Sequence, residues 1–195
     1  MTVSKTKAKL VDVARQLFAK MGVENTTMND IALASKKGRR TLYTYFKSKE
    51  DIYMAVVESE LDMLSDMMKR VAEKNISPDE KMIEMIYTRL DAVKEVVFRN
   101  GTLRANFFRD IWRVEKIRKN FDIRETELIQ GILEAGVKEG IFAMPDTEIT
   151  AVVLHHALKG LEVPYIRGIM GDNISQRIKR RDNVMNLIFN GIKIK

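Results

Sequence analysis

The sequence predicts an all-α protein, and three observations carry the prediction. Only three of the 195 residues are proline. Strand-like alternation of apolar and polar residues is scarce. Apolar residues instead recur at i, i+3 and i+4, which lines one face of a helix, in stretch after stretch. A chain of this length buries a real core, and an apolar content of 45% is that of a folded globule.

The first stretch carries Leu10, Val13, Ala14, Leu17, Phe18 and Met21 at helical spacing. Gly22 follows where a helix stops, at a left-handed position that glycine adopts cheaply. Thr27 starts a short helix with Asp30 as its capping-box partner and with Met28, Ile31 and Ala32 on its buried face. A basic break, Ser35-Lys36-Lys37-Gly38-Arg39-Arg40, precedes Thr41-Leu42-Tyr43-Thr44-Tyr45-Phe46, long enough for one or two turns. Ser48 and Asp51 form a second capping box for a long helix over about 49–74, carrying Ile52, Ala55, Val56, Met63 and Met67.

Ser77-Pro78-Asp79-Glu80 opens the next helix, with an N-cap, proline at the first helical position and an acid at the third. It holds Met82, Ile83, Ile86, Leu90, Val93 and Val97 and ends near Asn100-Gly101. A segment with Leu103, Phe107, Phe108, Ile111 and Trp112 follows, then a separate helix with Leu128, Ile129, Ile132, Leu133 and Val137 that stops at Gly140. Residues 146–169 read as helix again, with Pro164 expected to bend or end it. A last helix covers about 174–192.

Composition excludes several classes. There is no cysteine, which removes disulfides, thiolate metal sites and cysteine nucleophiles, and fits a reducing cytoplasm. No apolar run reaches the length of a membrane span. Lys5, Lys7 and Lys9, followed by Asp12 and Arg15, do not read as a signal peptide. No P-loop, dinucleotide glycine motif or legible nucleophile–base pair is present, so no enzyme and no cofactor are expected. His155 and His156 are adjacent and point about 100° apart on a helix. No carboxylate stands three or four residues from either, so no metal is expected.

Charge points to a partner. Residues 1–50 hold eleven of the 34 Lys and Arg and four of the 27 Asp and Glu, so the entire net charge of +7 sits there. A polyanion is its natural partner. The two short helices and the basic turn between them fit a helix-turn-helix, whose second helix enters the major groove by its N-terminal residues. Leu42 and Phe46, spaced i, i+4, seat that helix. Arg39 and Arg40 stand at its start, where arginine can bond both acceptors of a guanine edge. Thr27, Thr41, Tyr43, Tyr45 and Lys49 suit phosphate oxygens or the groove wall.

The same segment resembles the N-terminal domain of the TetR family of transcriptional regulators. The resemblance rests on Ala14, Phe18, Gly22, Thr26-Thr27-Met28, Ile31-Ala32 and the run Thr41-Leu42-Tyr43-Thr44-Tyr45-Phe46-Lys47-Ser48-Lys49-Glu50, and covers about residues 8–56. At the turn the family usually has Ala-Gly-Val-Ser, whereas this chain has Ser35-Lys36-Lys37-Gly38. Lysines replace the usual turn glycine and the usual buried valine. A Gly38-based turn displaced by two residues remains open, as does which of Lys37, Arg39 and Arg40 meets a base.

The resemblance implies residues 1–50 as a three-helix DNA-binding domain and residues 51–195 as a helical bundle for ligand binding and dimerisation. It implies a homodimeric repressor on a palindromic operator in double-stranded DNA, released by a small effector. The dimer would use the last two helices, through Val153, His156, Ala157, Gly160, Leu187 and Ile188. Six of the twelve methionines fall between residues 54 and 85. Methionine adapts to varied apolar ligands, so the effector is expected to be largely apolar. The candidate pocket residues are Met63, Met67, Met82, Ile86, Phe107, Phe108 and Trp112. An architectural or weakly specific DNA-binding protein without an effector is the alternative.

Overall fold

The computed structural model describes residues 5–100, 111–169 and 186, and the seven elements within those residues are all α-helices. They are α1 (Lys5–Met21), α2 (Met28–Ala34), α3 (Arg39–Tyr45), α4 (Lys49–Ala72), α5 (Pro78–Asn100), α6 (Ile111–Lys138) and α7 (Thr147–Ile166). The expected helix over 174–192 falls outside the described residues, apart from Asn186. The chain divides into two compact units, Met1–Asp62 with Val96–Lys119, and Met63–Glu95 with Asn120–Lys195.

In the first unit, Leu10, Val11, Ala14 and Phe18 of α1 pack with Ile31, Ala32, Leu42, Phe46, Ile52 and Val56. This core holds α2 and α3, seven residues each and far too short to persist alone. Phe18 meets Tyr53 edge to face at 6.0 Å. Arg15 ties α1 to α4, donating to Ser59 Oγ at 2.8 Å and pairing with Glu60 at 3.1 Å. Thr26 is buried and donates to the Gly22 carbonyl at 2.8 Å. Gly22 itself has φ +82°, as its place after α1 predicts.

The start signals act as their chemistry dictates. Asp30 N–H donates to Thr27 Oγ1, and Thr27 N–H donates back to Asp30 Oδ2 at 2.9 Å, so the capping box of α2 is complete. At α4, Asp51 N–H donates to Ser48 Oγ, but the Asp51 carboxylate accepts from Lys47 N–H, one residue earlier than a capping box would have it. Ser77 donates to Glu80 through both its N–H and its hydroxyl ahead of Pro78.

Three sequence expectations change. On α4 the buried stripe is Ile52, Val56, Glu60, Leu64, Met68 and Val71, whereas Met63 and Met67 are exposed. Stepping by four from Ile52 leads through Glu60, and the acid hides the stripe from an apolar count. The expected break between Trp112 and Leu128 is absent, and α6 is one helix of 28 residues. Residues 113–127 contain no glycine or proline to stop it. Helix α7 runs two residues past Pro164 and ends at Ile166, with Gly168 at φ +71° just beyond.

Among the described residues of the second unit, the buried apolar ones are Leu64, Met68 and Val71 of α4, Met82, Met85, Ile86, Leu90 and Ala92 of α5, Phe121, Ile129, Ile132 and Leu133 of α6, Phe142, and Ala151, Leu158, Tyr165 and Ile166 of α7. No helix among the described residues is long and apolar enough to cross a membrane.

Candidate nucleic-acid interface

The turn between α2 and α3 is set by backbone hydrogen bonds. Lys37 N–H donates to the Ala32 carbonyl and Lys36 N–H to the Leu33 carbonyl, both at 3.1 Å. This pair of bonds is the Schellman ending, which needs a left-handed residue between cap and exit. Lys36 is that residue, at φ +55°. Gly38 has φ −63° and serves as the N-cap of α3, so a Gly38-based turn displaced by two residues is ruled out. The usual geometry is kept with a lysine in the glycine's place.

Each sequence-predicted DNA residue can now be located. Leu42 and Phe46 are buried and seat α3, which turns its other faces outward. Arg39 and Arg40 are exposed at its first turn, and Tyr43 and Tyr45 are 43% and 37% exposed. Thr41 is half-buried beside them, and Lys37 is half-buried in the turn. Thr27 is exposed at the N-terminus of α2, where unpaired N–H groups and the helix dipole favour an anion. Lys49 is half-buried, and its ammonium donates to the carbonyls of Val23 and Glu24 at 2.9 and 3.1 Å, tying the α1–α2 loop to the start of α4. Asp30 accepts from the Thr27 hydroxyl and then its N–H, which together hold its carboxyl below the usual range.

Residues 10–56 match the family model described as bacterial regulatory proteins, tetR family. Over 189 residues the chain is 23% identical to the HTH-type transcriptional regulator QacR of Staphylococcus aureus strain Mu50, covering 95% of this chain and 97% of that one. This chain carries a TetR-family DNA-binding domain at residues 10–56. It is a DNA-binding transcriptional regulator and not an enzyme. A second relative, the HTH-type transcriptional repressor KstR2 of Mycolicibacterium smegmatis, is 27% identical over 74% of this chain and 70% of its own length. A solved transcriptional regulator from Cytophaga hutchinsonii shares the fold, with a TM-score of 0.77, 23% identity and coverage of 95% and 97%.

The second unit carries two further features. On α7, Ile149, Val152, Val153, His156, Ala157, Gly160 and Val163 share an exposed face, while Ala151, His155, Leu158, Glu162 and Tyr165 are buried opposite. Val153, His156, Ala157 and Gly160, expected at a dimer interface, thus lie together on the outer face. Leu187 and Ile188 lie outside the described residues, as do Phe107 and Phe108 and the side chain of Trp112. Of the other pocket candidates, Met82 and Ile86 are buried and Met63 and Met67 exposed.

The second feature was not foreseen. Arg89 is fully buried, ion-paired to Glu125 and at 2.8 Å to Glu162, with a weaker bond to the Leu158 carbonyl. Glu125 also hydrogen-bonds His155 Nδ1 at 2.8 Å, and Asp122 accepts from Lys159 at 3.3 Å. The Tyr165 hydroxyl donates to Asp91. A signal was present. Arg89 continues the stripe of Met82, Met85 and Ile86, Glu125 that of Phe121 and Ile129, and Glu162 that of Ala151, His155 and Leu158. A charge standing on a buried stripe implies a partner on a facing helix.

Proposed function

We propose that this chain is a ligand-responsive repressor that binds a palindromic operator as a homodimer and is released by a small, largely apolar effector. The observation that carries the reading is the outward face of α3, where Arg39, Arg40, Tyr43 and Tyr45 are exposed on a helix whose apolar side is fully used in packing. Residues 1–50 act as the reading head and residues 51–195 as the sensor and dimer body. Arg39 and Arg40 read bases. Thr27, Lys37, Thr41, Tyr43, Tyr45 and Lys49 hold phosphates or the groove wall, the last through the donor that its two carbonyl bonds leave over.

The exposed apolar face of α7 supports the homodimer. Small residues at Ala157 and Gly160 allow close approach of a second helix. The buried Met68, Met82 and Met85 of α4 and α5 support a largely apolar effector, because flexible methionine side chains can repack around one. Effector binding would favour a head spacing that no longer fits two half-sites, which takes only a few kcal/mol of coupling.

Fluorescence anisotropy with DNA from upstream of the chain's own gene, at moderate salt, tests the reading. Wild type should prefer this DNA to random competitor, and the Arg39→Ala/Arg40→Ala variant should lose the preference while keeping weak binding. Equal binding of wild type to both DNAs would favour a weakly specific, charge-driven binder instead.

A further inference from the structure

We propose that Asp122 and His155 form a binding site for a zinc-type divalent cation inside the second unit, with Glu125 positioning the imidazole. His155 is 3% exposed. Its Nδ1 is taken by Glu125 at 2.8 Å. Its Nε2 is buried and has no hydrogen-bond partner among the described residues. A buried ring nitrogen without a partner is costly unless something binds it. The atom it faces is Asp122 Oδ1, 3.8 Å away, which is also buried and lacks a hydrogen-bond partner among the described residues.

Two unsatisfied Lewis bases facing each other at this distance suit a metal better than a proton. Two bonds of about 2.1 Å span 3.8 Å at an angle of roughly 130°, and a closure of about 0.4 Å brings it to tetrahedral. One ligand atom from each of Asp122, Glu125 and His155 lies within 4.8 Å of the others. Glu125 plays the part of the carboxylate behind a metal-bound histidine. By accepting from Nδ1–H it fixes the tautomer, leaves the Nε2 lone pair free for the metal, and makes the ring a stronger donor. Arg89 holds that carboxylate from its other oxygen. The Asp122 side chain is 21% exposed, which gives the ion an entry path and leaves coordination positions for water. Imidazole nitrogen with carboxylate oxygen selects zinc, cobalt or nickel over calcium and magnesium. The adjacent His156 is exposed and takes no part.

Zinc titration of the full chain at neutral pH by calorimetry tests this. One Zn2+ per chain is expected, with affinity at least tenfold weaker in Asp122→Asn and in His155→Gln and unchanged in His156→Ala. Because substitutions in the interior can impair folding, a second measurement uses wild type. The chain has only two histidines, so a sample labelled with 15N-histidine gives two rings, told apart with the His156→Ala variant. Zinc should shift Nε2 of the His155 ring. Absence of any His155 shift up to millimolar zinc, or binding that disappears in His156→Ala, overturns the proposal.

Discussion

Lys36 occupies a backbone conformation that costs an L-residue about 1–2 kcal/mol. The endings after α6 and α7 have the same hydrogen-bond pattern, with Gly140 and Gly168 in the left-handed place. Lys36→Gly should therefore stabilise the chain by about 1 kcal/mol, measured by urea denaturation, and no gain would contradict the turn geometry. Two glycines in α6 make a paired case. A β-carbon on Gly136 would overlap the Phe142 ring, while one on Gly131 meets nothing within 4 Å among the described residues. Gly136→Ala should destabilise by about 1–3 kcal/mol, and Gly131→Ala should stabilise by up to about 1 kcal/mol, in the same assay. Arg89→Met should cost about 3–5 kcal/mol, because Glu125 and Glu162 would lose their buried counterion. At this scale the sequence was legible where chemistry is local, as at Thr27, Gly22 and Gly140. It was opaque where a partner comes from a distant helix. Arg89 and Glu125 are 36 residues apart, and no spacing rule reaches that far.

Helix starts were read from side chains that bond their own first turn, and α2 and α5 follow that reading. The cap of α2 makes stability depend on pH. The folded-state pKa of Asp30 is lowered, so its bonds to Thr27 contribute stability above the ordinary value of 3.8, and that contribution is lost as pH falls through the folded value. The stability gap between wild type and Asp30→Asn, followed by thermal melting, should be open at neutral pH and close on acidification below about pH 4. A gap independent of pH would mean that the carboxylate charge is not what caps α2. The continuity of α6 is hard to see in the sequence, since apolar density falls between Trp112 and Leu128, although nothing there ends a helix. The outward stripe of α7 was legible by period alone, but which of its two faces is covered could not be told from spacing. The Val153→Glu variant places a charge on that exposed stripe, so the fold should survive. Under the proposed function, sedimentation should find wild type as a dimer and the variant largely as a monomer.

At the scale of the molecule, all the excess positive charge lies in residues 1–50, while the remaining 145 residues carry equal numbers of cations and anions. The family was legible because the head's core residues and its exposed residues alternate in one short, dense pattern between Ala14 and Glu50. The body was not, since its helices follow rules common to any bundle. A charge-driven component of DNA binding is expected, so affinity should fall steeply with salt for any sequence. Under the proposed function, specificity comes from the paired α3 helices of a dimer reading two half-sites. The direct test is selection of preferred sites by the full chain from random double-stranded DNA at about 0.15 M salt. The account predicts enrichment of an inverted repeat whose half-site centres lie about one helical turn or a multiple of it apart, and loss of that enrichment for Arg39→Ala/Arg40→Ala. Recovery of no common sequence by the wild-type chain, or of the same inverted repeat by the double variant, would contradict it.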